Sequence, residues 1–253
     1  MKFSRLPAFI QTISGLIFLS SLALTGCGSS DVVKSGDVNN SKIYRWYSVN
    51  FDEDTQATGA FAQFRVGGPT GTTVTLEKPS AISIVDSDLK LSGTEPRQVS
   101  ANGTGYGWSL TGEPASSSYT FKWTNQSGAV TEDIVSMPAN PAQPLLYNSK
   151  FNLPDGVTVA LDRDSQSGTG YVRAIITGID KVSQKETFTD KSISSGYSIT
   201  FTPDEVAMFA SGPAKLTIMT EVFKSASGGD SGSLGGKTYA GYKRKPVAII
   251  LTR

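Results

Sequence analysis

Histidine is absent from the 253 residues, and cysteine occurs once, at Cys27. Without imidazole there is no Ser-His-Asp or Cys-His activation of a nucleophile, no HExxH zinc site and no histidine general base. A single thiol has no intramolecular partner, so no structural disulfide staples the fold. An excess of one charge is lacking as well. The 23 Lys and Arg residues stand against 22 Asp and Glu, which leaves no net electrostatic pull toward nucleic acid. Long runs of Ala, Leu, Glu and Lys are missing, which argues against a helical body. The longest unbroken apolar stretch near the N-terminus, Gly15-Leu16-Ile17-Phe18-Leu19, is far shorter than the ~20 residues of a membrane-spanning helix.

What the N-terminus does contain is ordered. Met1-Lys2-Phe3-Ser4-Arg5 carries two positive charges and no negative one, and an apolar segment from Leu6 to Ala23 follows, interrupted by Gln11, Thr12 and Ser14. A basic start, a short apolar middle and small residues after it describe an export signal. Its end, Leu24-Thr25-Gly26-Cys27, resembles the lipobox of bacterial lipoproteins. That resemblance implies removal of residues 1–26 by signal peptidase II. It also implies a diacylglyceryl group, and often a further acyl chain such as palmitate, at Cys27. With the thiol so used, no cysteine nucleophile is left. Anchoring that outlasts a single chain needs at least two, each buried methylene contributing ~0.8 kcal/mol. Gly28-Ser29-Ser30 lacks the aspartate that in this family retains a lipoprotein at the inner membrane. The implied address is therefore the outer membrane, or the exterior of the cell membrane where a source has no outer one.

Loss of Lys2 and Arg5 with the signal takes the 23 basic residues to 21 against 22 acidic ones. Residues 27–42 are polar and aperiodic beyond the cysteine and read as a flexible tether, whose ~15 residues reach ~50 Å when extended. After it, short apolar segments alternate with Gly, Pro, Asn and Ser turns, the signature of an all-β body. Phe61, Phe64 and Val66 are followed by the turn cluster Gly67–Gly71, then by alternation over residues 73–77 and 81–85. Tyr106, Trp108 and Leu110 share one strand face, and Tyr119, Phe121 and Trp123 share another, which places Trp108 and Trp123 in a core. Residues 129–135 complete an expected β-sandwich spanning 43–137. Met137-Pro138-Ala139-Asn140-Pro141-Ala142-Gln143-Pro144 holds three prolines, so 138–144 reads as a semi-rigid linker.

Residues 145–253 form the second expected sandwich, so the fold class is all-β with two tandem immunoglobulin-like or fibronectin-like domains. Val157, Val159 and Leu161 alternate, residues 171–179 suit a central strand, and Tyr197, Ile199 and Phe201 share a face. Thr202-Pro203-Asp204-Glu205 carries a capping box and predicts a helix of about two turns ended by Ser211-Gly212-Pro213. Two last strands carry Leu216, Ile218 and Val222, then Val247, Ile249 and Leu251. The segment from Phe61 to Leu76, the run Tyr197–Glu205 with Gly212–Thr217, and Gly235-Gly236-Lys237 with Arg244 are similar to a group of uncharacterised bacterial lipoproteins with two sandwich domains. That likeness implies fold and export alone.

Several segments have a chemical look. Gly229-Asp230-Ser231-Gly232 resembles the nucleophile segment of chymotrypsin-like proteases, but without histidine nothing activates Ser231, and residues 225–236 read as a Gly/Ser-rich hairpin loop. Asp52, Glu53 and Asp54 are adjacent rather than facing, unlike a glycosidase pair, and read as solvated loop acids. Lys243-Arg244-Lys245 reads as the solvated rim of a last strand. Asp162–Gly168 alternates oxygen side chains as calcium loops do but lacks the closing glutamate, so it reads as a polar turn. No catalytic residue, cofactor site or metal site is expected. Tyr44, Trp46 and Tyr47 are the candidate ligand-binding residues: either a first strand packed on the sandwich, or a platform on which sugar rings stack. The sequence thus predicts a non-enzymatic envelope protein. Its partners are the membrane, through the lipid, and either another envelope protein or a polysaccharide.

Overall fold

The computed structural model describes residues 32–85, 97–99, 105–114, 116–138, 141–146, 149–162, 170–226 and 234–253. Its strands are, in chain order, β1 (Val32–Lys34), β2 (Ile43–Asp52), β3 (Ala57–Val66), β4 (Thr72–Thr75), β5 (Ala81–Val85), β6 (Arg97–Val99), β7 (Gly105–Thr111), β8 (Ser118–Thr124) and β9 (Val130–Ser136). Then come β10 (Pro144–Leu145), β11 (Lys150–Asn152), β12 (Val157–Leu161), β13 (Gly170–Ile179), β14 (Glu186–Ile193), β15 (Ser198–Phe201), β16 (Gly212–Ala226), β17 (Gly236–Lys243) and β18 (Val247–Thr252). The fold is all-β, as the spacing of apolar and turn residues predicts, and it is built as two β-sandwiches that share one long sheet.

A long sheet runs through both sandwiches in the order β1-β4-β3-β2-β17-β16-β13-β14, with β7 beside β3, β6 beside β7, β18 beside β16 and β11 beside β18. The sheet β5-β8-β9 covers one end of it, and the sheet β10-β12-β15 covers the other. Strict alternation fixes the first core. Tyr119, Phe121 and Trp123 of β8 are fully buried, and Phe121 meets Tyr47 at 4.7 Å and Trp108 at 5.9 Å between ring centroids. Phe64 packs on Trp123 at 5.6 Å. Burying each ring contributes roughly 2–3 kcal/mol. The second core gathers Val157, Val159, Ile176, Phe201, Leu216 and Leu251.

One polar pair sits inside the first core. Arg45 of β2 and Asp133 of β9, 0% and 2% exposed, face each other across the sandwich with Nη1 and Oδ2 3.3 Å apart. The guanidinium also lies 5.3 Å from the Trp123 ring centroid. Two charges taken from water persist only if each neutralises the other, and this pair links β2 to β9 across the core.

Three expectations about segments change. Residues 32–42, expected to be tether, are folded: β1 pairs in parallel with β4, and Val33 and Val38 pack on the first core. Ser35 is buried there and accepts hydrogen bonds from the Glu77 amide at 2.8 Å and from Gln126 Nε2 at 2.6 Å. Polar composition hid a segment that two valines and one hydroxyl hold down. The helix α1 (Pro203–Val206) has the expected capping box, with Thr202 Oγ1 accepting from the Glu205 amide and Glu205 reaching back to the Thr202 amide. It makes one turn rather than two, because Phe209 turns into the second core. Tyr197 stands outside β15 and is exposed, while Ile199 and Phe201 are buried as expected.

The two sandwiches are joined by more than the proline segment. β17 pairs in parallel with β2 over eight residues, from Gly236 opposite Arg45 to Lys243 opposite Asp52, and its Ala240 lies in the first core although residues of the second core flank it on both sides in sequence. Glycine permits this approach. A Cβ on Gly236 would overlap the Arg45 carbonyl, and one on Gly241 would come within 2.6 Å of Asn50 Oδ1.

Candidate functional site

Alternation along β2 divides the three aromatic residues of the predicted binding platform. Ile43, Arg45, Tyr47, Val49 and Phe51 face the first core and are buried, so Tyr47 is a core residue and no ligand-binding one. Tyr44 and Trp46 point to the opposite face of the long sheet and are half-buried.

On that outer face Trp46 is the first ring of a row. Trp46 of β2 and Tyr239 of β17 lie 6.4 Å apart with planes 22° from parallel. Phe223 of β16 sits 4.8 Å from Tyr239 at 49°, and Tyr171 of β13 sits 6.0 Å from Phe223 at 71°. Four neighbouring strands each give one ring, and the row crosses the junction between the sandwiches. Tyr239 donates its hydroxyl to Glu221 Oε1 at 2.8 Å, and Glu221 is buried at 7% exposure. Burial first, and then the Glu221 charge, raise the Tyr239 pKa far above the usual phenol range, with Arg173 opposing. The phenol therefore stays protonated and keeps donating. Tyr44 is shifted upward too, by burial, against the opposing charge of Arg65.

Sequence reasoning missed most of this row. Tyr239 sits in Lys237-Thr238-Tyr239-Ala240-Gly241-Tyr242, and its alternation was the available signal. Glycines and polar residues diluted it.

The segments with a chemical look resolve as follows. Asp52 accepts from Lys243 Nζ at 2.8 Å, and Glu53 accepts from Arg244 Nη1 at 3.2 Å and from the Lys245 amide at 2.8 Å. Arg244 also donates to the Pro141 carbonyl and lies over Tyr242. The acidic residues 52–53, expected as solvated loop acids, and the basic residues 243–244, expected as a solvated strand rim, are thus each other's partners and partly exposed. Asp162 accepts from the Gln143 amide at 2.9 Å. The remainder of the Asp162–Gly168 turn, Ser231 with its flanks, and Cys27 lie outside the described residues. Among the described residues no group of three or more metal-ligating side chains gathers, and no helix is long and apolar enough to cross a membrane.

β14 is the end of the long sheet. It is eight residues long and, among the described residues, is bonded on one side alone, to β13, from Glu186 opposite Ile179 to Ile193 opposite Val172. Phe188 on this strand is 54% exposed.

No known protein family and no curated protein matches the chain. Among solved structures, the chain is similar to the paired immunoglobulin domains IG1 and IG2 of DIP-gamma, at 6% identity and TM-score 0.25, over 80% of this chain and 97% of that one. It is also similar to the adhesin InvE of Yersinia pseudotuberculosis, at 10% identity and TM-score 0.21, over 84% of this chain and 59% of that one. Overlaps this slight carry nothing about activity.

Proposed function

We propose that the chain is an exported lipoprotein, anchored through Cys27 at the outer membrane, that works as a rigid, non-catalytic docking module for another envelope protein. The lipobox-like Leu24-Thr25-Gly26-Cys27 supports the anchor. The docking reading rests on β14, an eight-residue strand with one edge that no described strand covers. A free edge presents a row of unpaired amides and carbonyls that an extended segment of a partner can complete, while alternate side chains select it. The strand pairing between β2 and β17 makes that edge part of one body with the anchored end.

Photo-crosslinking in intact envelopes tests it, with benzoylphenylalanine placed at Phe188 and, as a reference, at Ile134, which is equally exposed on β9. Adducts to a reproducible envelope protein from position 188 alone support the module. Equal adducts from both positions, or none from either, overturn it.

The aromatic row favours a second reading, binding of a polysaccharide on the outer face. Trp46 and Tyr239 are nearly parallel, which suits stacking of sugar rings, but Phe223 is tilted 49° from Tyr239 and Tyr171 is tilted 71° from Phe223, so the row is not one flat platform. Retention of Trp46→Ala on envelope glycans, compared with the unaltered protein, separates the two readings. Loss of retention with unchanged stability supports the polysaccharide, and unchanged retention removes it.

A further inference from the structure

The number of residues between Cys27 and the first described strand bounds how far the body can stand from its anchor. β1 starts at Val32, and β1 is bound into the sheet by β4 along its whole length. From Cys27 to Val32 is five residues, a reach of at most about 18 Å, far less than a free tether to residue 42 would allow. β1 is also one extreme of the main sheet path, and β14 is the other. Seven strand spacings of about 4.8 Å separate them, roughly 34 Å.

From these two lengths, and resting on the lipid anchor proposed above, we infer that the body is held edge-on against the bilayer. The β1–β4 edge faces the headgroups, and the free β14 edge is the part of the sheet most distant from them. Inversion is excluded by reach, because the tether is about half the width of the sheet. Chain length, and not charge, is what bars the inverted orientation. Around this edge Lys34 is paired with Glu77 at 2.8 Å, and exposed Lys42 and Lys78 are offset in part by exposed Asp37, which leaves little net attraction for an anionic surface. The docking edge is thus offered away from the membrane, while the β1 edge is closed to protein partners by the bilayer.

Energy transfer from the protein to lipid measures this directly. Cys27 is the sole cysteine and its thiol carries lipid in the mature protein, so a cysteine introduced as Asp37→Cys or Ser192→Cys is the one site for a donor dye. The acylated protein is placed in phosphatidylethanolamine/phosphatidylglycerol vesicles bearing a headgroup acceptor. Transfer from position 37, next to β1, is expected to exceed that from position 192, on β14, by at least about twofold, given the ~34 Å between the edges. An insertion of about 15 Gly/Ser residues after Ser30 is expected to erase the contrast, because a flexible linker of that length frees the orientation. Equal transfer from both positions in protein shown by mass spectrometry to be acylated at Cys27 overturns the edge-on orientation alone. A Cys27 peptide without acyl chains overturns the anchor and this orientation with it.

Discussion

Lys243 Nζ donates to Asp52 Oδ2 across 2.8 Å, joining side chains 191 positions apart at the end of the β2–β17 pairing. The next residues repeat the contact, Arg244 with Glu53 at 3.2 Å, and the Glu53 amide donates to the Lys243 carbonyl at 2.9 Å. Both ion pairs are partly exposed, so each contributes at most about 1 kcal/mol. The strand pairing they close is the larger effect. It turns two sandwiches that the chain presents one after the other into one body.

The first prediction concerns that junction. Gly236→Val places a side chain against the Arg45 carbonyl, so β17 must leave β2. Calorimetry of the unaltered protein is expected to show one cooperative transition, and of Gly236→Val two, as the sandwiches melt separately. By contrast Asp52→Asn removes one partly exposed pair and should lower stability by about 0.5–1 kcal/mol, an effect that shrinks in high salt. Two transitions in the unaltered protein would show that the pairing does not couple the sandwiches.

The buried pair of Arg45 and Asp133 gives a second prediction. Asp133→Asn leaves a guanidinium in the first core without its counter-charge and should cost about 3–5 kcal/mol in denaturant unfolding. Replacing both residues, Arg45→Met with Asp133→Leu, should recover most of that loss, since two apolar side chains need no neutralisation. A loss in the single variant of under about 1 kcal/mol would mean the charges are solvated.

These cases show where sequence is informative. Tyr119-Thr120-Phe121-Lys122-Trp123 could be read because burial at every second residue is what makes a strand face, and Thr202–Glu205 could be read because a capping box is complete within four residues. β14, with Glu186-Thr187-Phe188-Thr189-Asp190-Lys191, alternates exposed and half-buried positions, but the half-buried ones there are Thr187, Thr189 and Lys191, so no apolar periodicity marks it. The acidic and basic sets at 52–53 and 243–244 were each legible as charge but not as partners, since only the parallel pairing of β17 with β2 brings them together. Of the aromatic platform, Trp46 and Tyr44 stay on an open face, and the single step of parity to Tyr47 sends it inward.

A third prediction follows from tyrosine protonation. Burial, and then the charge of Glu113, push the Tyr242 phenol up to about 12, while Arg244 opposes them. Its folded-state pKa exceeds the unfolded value near 10, so the folded chain keeps the proton that the unfolded chain loses. The stabilisation is complete below pH ~10 and is lost as pH rises from there toward about 12. Urea midpoints at successive pH values should be level from pH ~7 to ~9 and fall above ~10. Tyr242→Phe should fall less steeply, because one such phenol is gone. Identical slopes for the two proteins would remove Tyr242 from the alkaline transition.

The fourth prediction tests whether the segment before β2 is folded. Ser35 Oγ accepts from both the Glu77 amide and Gln126 Nε2, which ties β1 to the turn after β4 and to the β8–β9 turn. In Ser35→Ala the Glu77 amide loses this acceptor while Gln126 Nε2 keeps the Glu77 carbonyl, at a cost of about 1–3 kcal/mol. The loss should be local, because Val33 and Val38 are the only apolar side chains this segment lends to the first core. Hydrogen exchange is therefore expected to accelerate over residues 32–42 in Ser35→Ala while β2, β3 and β8 stay protected. Fast exchange over 32–42 in the unaltered protein as well would restore the reading of this segment as tether, and with it a reach of ~50 Å from the anchor.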